Sequence, residues 1–157
     1  YGFSYGRDTL HMLQEPAVFH AFQLSRQVTN EAHLFREFIR FSNIPSDFPV
    51  LISHISPKAN VLTLVAPHVS DRLPSENWMI LDDNRQLAVV HPADHPFYLT
   101  RISPDEMERL SLTESTLDPY LELWKGFFTA IAIKERSNSD CQRTHLPLRY
   151  RNHMPEF

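Results

Sequence analysis

Four arginines fall within sixteen residues near the C-terminus: Arg136, Arg143, Arg149 and Arg151. A guanidinium is a planar fork of donors matched to carboxylate or phosphate oxygens, so such a cluster needs anionic partners or water. Tyr150 lies between two of them, where a ring and cations together suit an unpaired base. Arg36 and Arg40 repeat the theme far upstream. A second constellation runs through the middle of the chain: His68, Asp71 and Arg72, then Asp82, Asp83 and Arg85. There His68 is a candidate acid or base, with Asp82, Arg72 and Arg85 positioning it or stabilising charge. The competing reading is structural: aspartates that shape a turn, and arginines that tie loops down by ion pairing.

Other chemistries are absent from the sequence. It has no CxxC pair, no HExxH and no nucleophile elbow. Its three glycines, at 2, 6 and 126, cannot form a glycine-rich phosphate loop. His91 and His95 are four apart, but Pro92 and Pro96 place them on a loop rather than on one helix face, and no metal site is expected. The lone Cys141 excludes an internal disulfide and suits a reducing compartment.

The elements that must position these residues follow from periodicity. A chain of 157 residues with 42% hydrophobic content is long enough for one domain with its own core. Pro16 suits the first turn of a helix running to about Ser42, with Ala21, Leu24, Val28, Ala32, Phe35 and Ile39 on one face. Arg26, Asn30, His33, Glu37 and Arg40 occupy the other face, and Pro45 ends the helix. Residues 44–101 read as strands: 50–55, 60–66, 77–82, 86–91 and 97–102, with 67–76 as a loop. Their close spacing predicts an antiparallel meander. Ser103 and Pro104 predict the start of a short helix over Asp105–Leu110. A long helix follows from about Thr116 to Arg136, with Leu117, Leu121, Trp124, Phe128 and Ile131 as its core stripe. Residues 139–157 read as an ordered arm.

The fold expected is therefore α+β: a small antiparallel sheet of about five strands, packed by long N- and C-terminal helices and a C-terminal arm. Net charge is −4, so the whole molecule does not advertise nucleic-acid binding. The distribution is uneven. Residues 105–122 carry six acids and one base, whereas residues 134–157 carry five bases against three acids. No apolar run is long enough to span a bilayer.

Four blocks resemble a bacterial family of uncharacterised domains associated with DNA metabolism and DNA repair. In residues 25–41 the matching positions are Val28, Glu31, His33, Phe38, Arg40 and Phe41. In 55–72 they are Pro57, Asn60, His68 and Arg72; in 78–85, Trp78, Ile80, Asp82 and Arg85. The last block holds Leu123, Trp124, Phe128, the run ending at Asn138, then Pro147, Arg149, Tyr150 and Glu156. Departures are Glu37 where the family prefers Gly, Val69 where it prefers Phe, and Arg151 where it often has Trp. The resemblance implies a cytoplasmic bacterial protein whose relatives are encoded beside a radical-SAM protein that modifies or repairs DNA. Some relatives are fused to a uracil-DNA-glycosylase-like domain. It also implies that residues 1–157 are the C-terminal part of a longer protein. No cofactor is implied within the chain, since the iron–sulfur cluster belongs to the radical-SAM partner.

Three functional readings follow. The first is a DNA-binding or adaptor domain using Arg36, Arg40, Arg72, Arg136, Arg143, Arg149, Tyr150 and Arg151, with Trp78 and Tyr150 as stacking platforms if exposed. The second is a DNA-processing enzyme using His68, Asp82 and Arg85, which requires these side chains to converge. The third is a protein-interaction domain that docks the radical-SAM protein through the acidic block 105–122 or the basic arm.

Overall fold

A computed structural model of the chain describes residues 6–44, 49–117 and 146–154. After a 3-10 turn at Gly6–His11, helix α1 runs Pro16–Phe38. Strand β1 (Ser42–Ile44) and strand β2 (Val50–Ile55) follow. Helix α2 (Leu62–Arg72) leads to β3 (Trp78–Asp82), β4 (Leu87–His91) and β5 (Tyr98–Arg101). Helix α3 (Pro104–Leu117) and the short turn α4 (Leu148–Arg151) complete the described elements. The α+β class is as expected, and the sheet has five strands in the order β1-β2-β3-β4-β5. The predicted long helix from Thr116 to Arg136 lies, from residue 118 on, outside the described residues.

The antiparallel meander is corrected at one point. Strands β2 and β3 pair in parallel, Leu51 opposite Trp78 and Ile55 opposite Asp82, while the other three pairs are antiparallel. A parallel pair needs a crossover, and α2 supplies it. The segment 60–66, expected as a strand, is the first half of that helix. Its buried residues Leu62, Val65, Ala66 and Val69 have helical spacing, i, i+3, i+4, i+7. The apolar run alone cannot be told from a buried strand; the period emerges only when Val69, beyond Pro67, is included. Pro67 is exposed on the outer face, so its ring meets no core and the helix forgoes one backbone bond. The fifth strand is instead β1, in a stretch read as helix. Helix α1 ends at Phe38, well before Pro45, because Ile39 turns extended at φ −59° and ψ 133°.

The sheet has two buried faces. Ile55, Ile80, Val89 and Trp78 pack with Ala32 and Phe35 of α1 and with Leu62, Val65 and Val69 of α2. Tyr150 closes the same core from α4. On the opposite face, Ile52, Leu81 and Ala88 pack with Met107 and Leu110 of α3. The expected start of α3 is present as a full capping box. The Ser103 N–H and hydroxyl both donate to Glu106 Oε2 (3.0 and 2.8 Å), and the Glu106 N–H donates to Ser103 Oγ at 3.3 Å. Those bonds hold the Glu106 carboxyl below its usual range. Among the described residues, no helix is long and apolar enough to cross a membrane.

A candidate anion-binding cleft and two structural polar networks

Helices α1 and α2 lie side by side, and their contacts fix the register. The Glu31 carboxylate accepts the Lys58 and Ala59 N–H groups at 3.0 and 2.8 Å, and five residues later Arg36 Nη2 donates to Leu64 O at 2.6 Å. Stepping forward along α1 therefore steps forward along α2, and both helices bring their C-terminal ends to the same place. There a cleft of about 290 Å³ opens, lined by Arg36, Glu37, Ile39, Arg40, Phe41, His68, Val69, Arg72 and Leu73. Three arginines singled out in the sequence and the candidate acid–base histidine thus share one cleft, although residues 36 and 72 are far apart along the chain.

Cations at helix C-termini have an ordinary explanation, because each end carries about −0.5 of an elementary charge. The helix ends are not the whole account. Two helix ends offset about one of the three guanidinium charges. Glu37 offsets another, and it is already paired with His33 at 3.0 Å. The cleft nonetheless gathers three guanidiniums on one small volume. Its donors are also incompletely used. Among the described residues, Arg36 Nε is buried with no hydrogen-bond partner. The guanidinium of Arg72 and the ring of His68 make no hydrogen bond or ion pair there. Arg40 Nη1 donates to the carbonyl of Ile39 at 3.3 Å.

Asp82 and Arg85 are elsewhere. Leu73 lines the cleft and accepts the Trp78 Nε1–H at 3.2 Å, so the cleft lies toward the start of β3. Asp82 ends that strand, roughly 13 Å along it at 3.3 Å per residue. The convergence of His68 with Asp82 and Arg85 that the enzyme reading requires is therefore not found. Asp82 is fully buried and builds the β3–β4 turn. Its Oδ1 accepts the N–H groups of Asn84 and Arg85 at 3.0 and 3.2 Å, and its Oδ2 pairs with Arg85 Nη1 at 3.1 Å. Burial pushes the Asp82 carboxyl above its usual range, with Arg85 and the turn N–H groups opposing. Arg85 also donates to the carbonyls of Pro57 (2.9 Å) and Lys58. The 56–60 loop is thus gripped by its N–H groups from Glu31 and by its carbonyls from Arg85.

The C-terminal candidates divide in the same way. Arg136 and Arg143 lie outside the described residues. Arg149 pairs with Glu31 Oε1 at 3.4 Å, donates to the Tyr150 hydroxyl at 2.7 Å and stacks over its ring at 4.7 Å. Tyr150 is only 4% exposed and meets the Phe35 ring edge-on at 4.8 Å. Trp78 is fully buried and stacks on His91 at 4.7 Å. Neither ring can stack on a base, which corrects the expectation for Tyr150 and Trp78: their apolar faces complete the core. Arg151 is half-buried.

A second polar network was not anticipated. At the carboxyl ends of the parallel strands, His54 Nδ1 lies 2.8 Å from Asp83 Oδ1. Ser56 Oγ is 2.8 Å from His153 Nε2, and that same nitrogen is 3.9 Å from Asp83 Oδ2. Serine, histidine and aspartate suggest a triad, but the geometry is wrong for one. A triad histidine uses opposite ring nitrogens for serine and carboxylate, whereas here one nitrogen faces both. The oxyanion donors such chemistry needs are also missing next to Ser56: Pro57 has no N–H, and the following two N–H groups are held by Glu31. Only the second aspartate of the Asp82–Asp83 pair and the polar end of the 50–55 run hinted at this cluster. Among the described residues, no group of three or more His, Cys, Asp or Glu is placed to hold a metal ion.

Comparison with known proteins supplies the family. A family model described as a domain of unknown function, DUF4130, matches residues 1–156. The chain belongs to the DUF4130 family. No curated protein and no solved structure matches it. The DUF4130 match takes in the α1–α2 cleft, the Glu31–Arg149 pair and the Asp82–Arg85 turn together.

Proposed function

We propose that this domain serves DNA metabolism as a DNA-binding or adaptor module, with the arginine cleft taking phosphate and a radical-SAM DNA modification or repair protein as its partner. The observation that carries the reading is the meeting of Arg36, Arg40, Arg72 and His68 in one cleft, where Arg36 Nε, the Arg72 guanidinium and the His68 ring have no hydrogen-bond partner among the described residues. Phosphate is one of the anions a guanidinium fork recognises bidentately. The partner and the link to DNA come from the family resemblance; the cleft adds the chemistry by which nucleic acid would be held.

Binding of single- and double-stranded DNA, followed by fluorescence anisotropy at about 50 and 200 mM salt, tests it. Each lost phosphate contact lowers the slope of log affinity against log salt by about 0.7–0.9. Arg72→Ala and Arg40→Ala are each expected to remove about that much, while Arg149→Ala, whose guanidinium is held by Glu31 and Tyr150, leaves the slope unchanged. Salt-insensitive binding, or none, removes the reading. Co-purification with the radical-SAM protein tests the adaptor role separately.

A further inference from the structure

We infer that the open edge of β5 is an interface for a second copy of this chain: two β5 strands pair antiparallel about a two-fold axis at Thr100 and join two sheets into one. The inference stands apart from the nucleic-acid reading above.

Backbone chemistry is the first argument. Among the described residues β5 is an outer strand of the sheet, and all of its residues are exposed. The other edge strand, β1, lies beside α3. An antiparallel strand turns the N–H and C=O of alternate residues toward one neighbour and then the other. The Ile102 N–H donates to Gln86 O at 3.1 Å, so Thr100 and Tyr98 are the residues that bond β4, opposite Ala88 and Val90. Leu99 and Arg101 then turn both backbone groups outward. The same phase follows from the far side of the sheet. The Leu51 N–H donates to Asn77 O and the Asp83 N–H to Ile55 O, which commits the odd-numbered residues of β3 to β2. The even-numbered ones are left for β4, and Ala88 and Val90 for β5. A row of unpaired donors and acceptors is a template for another strand.

Register is the second. A two-fold axis at Thr100 sets Leu99 opposite the partner's Arg101, and Arg101 opposite the partner's Leu99. Each pair exchanges both its N–H···O bonds. Tyr98 and Thr100 stand opposite Val90 and Ala88, on the face of the sheet that carries α3. There the axis sets Tyr98 against the partner's Ile102 and Thr100 against the partner's Thr100. Aromatic with β-branched and threonine with threonine are both favourable cross-strand pairs. Tyr98 and Leu99, 52% and 43% exposed, are covered. No arginine faces an arginine directly, and the aliphatic stem of Arg101 lies over leucine.

Preorganisation selects a second copy over a loose peptide. Pro96 and Pro104 bracket the strand and keep the edge short. A disordered peptide pays the cost of its own ordering for these few bonds, whereas a second β5 is already held in its sheet. An edge this short makes an interface below the standard size, so the dimer is a weak, micromolar one.

Sedimentation equilibrium of the full chain, from about 5 to 500 µM, tests it. The parent is expected to pass from monomer to dimer within that range. Leu99→Pro removes an outward N–H and leaves the bonds to β4 in place, as proline on an edge strand does. It is expected to raise the dissociation constant about tenfold or more, with unchanged circular dichroism. Thr100→Lys and Thr100→Asp, at an exposed position, each set like charges opposite one another across the axis and should be monomeric. Mixed in equal amounts, the two should pair. That rescue belongs to the two-fold register alone and needs no proline, so it decides the question even where Leu99→Pro unfolds. A parent that stays monomeric overturns the inference. So do homodimers of Thr100→Lys as tight as the parent's, or a mixture of the two threonine variants that stays monomeric.

Discussion

Asp82 is the residue whose environment demands most from its neighbours. A fully buried carboxylate is strongly disfavoured unless paired and hydrogen-bonded, and here it has one guanidinium and two turn N–H groups. Removing one partner of such a pair costs about 3–5 kcal/mol, because the other charge is left buried. Arg85→Ala also strips the Lys58 carbonyl of its donor, while Pro57 O keeps Asn84 Nδ2 at 2.9 Å, so a loss of about 3 kcal/mol or more is expected in urea unfolding at neutral pH. The pH dependence has a definite sign. Without Arg85, burial raises the Asp82 carboxyl further above 3.8, so the native state holds its proton more tightly than the unfolded chain does. The stability this preserves is complete below the unfolded value and is lost as pH rises through the folded one. The Arg85→Ala deficit should therefore shrink as pH is lowered from 7 toward about 4. A deficit that grows on acidification contradicts this account. Asp82 was legible as a turn residue and Arg85 as a residue that ties a loop down by ion pairing, but not that the two pair with each other. The roles of Tyr150 and Trp78 were not, since an aromatic beside arginines has the same sequence whether its face is wet or buried.

At the level of elements, the crossover helix teaches most. Its first five residues suit a strand as well as a helix, and Pro67 interrupts the pattern just where the helical period would declare itself. Tertiary context resolves the ambiguity, because Val61, Leu62, Val65 and Ala66 all face the sheet and α1 while Leu64 stays exposed. Proline in a helix interior is about 2–3 kcal/mol less favourable than alanine after the first turn, and Pro67 has no packing to offset that. Pro67→Ala is expected to stabilise the domain by about 1–2 kcal/mol once the looser unfolded chain is allowed for. A thermal midpoint that falls would show that the ring fixes the path of α2. The partner helix makes the opposite prediction. Glu31, one of two acids on α1, stood out only as a matched position of the resemblance, yet its carboxylate satisfies two loop N–H groups and pairs with Arg149. Each buried group left unsatisfied costs about 1–3 kcal/mol. Glu31→Ala should therefore lose about 2–4 kcal/mol in denaturant unfolding, and Glu31→Gln, which keeps an acceptor, less.

Across the whole molecule the polar networks hold distant parts of the sequence together, and the C-terminal segment depends on them. Tyr150 fills the core, Arg149 reaches Glu31 on α1, and His153 meets Ser56 and Asp83 at the carboxyl ends of β2 and β3. A basic C-terminal run was legible; its return to the domain through a histidine was not, because a contact between residues 56 and 153 leaves no local pattern. The two ends of the parallel pair thus have separate work. The ends facing α4 lock the segment down, and the opposite ends leave the arginine cleft open. The lock has a pH limit. Burial holds the His153 ring below its usual 6.5, with the Asp83 carboxylate opposing and His54 reinforcing the shift. Above about pH 6.5 the ring is neutral in both states and costs nothing. Below it, the unfolded chain takes up a proton that the folded one resists, so stability falls as pH drops toward the folded value. His153→Gln keeps a partner for the Ser56 hydroxyl but cannot be protonated. Its unfolding midpoint in urea, followed from about pH 7.5 to 5, should decline less steeply than that of the parent chain. Parallel curves would mean that His153 is solvated in solution and that Tyr150 and Arg149 anchor the segment without it.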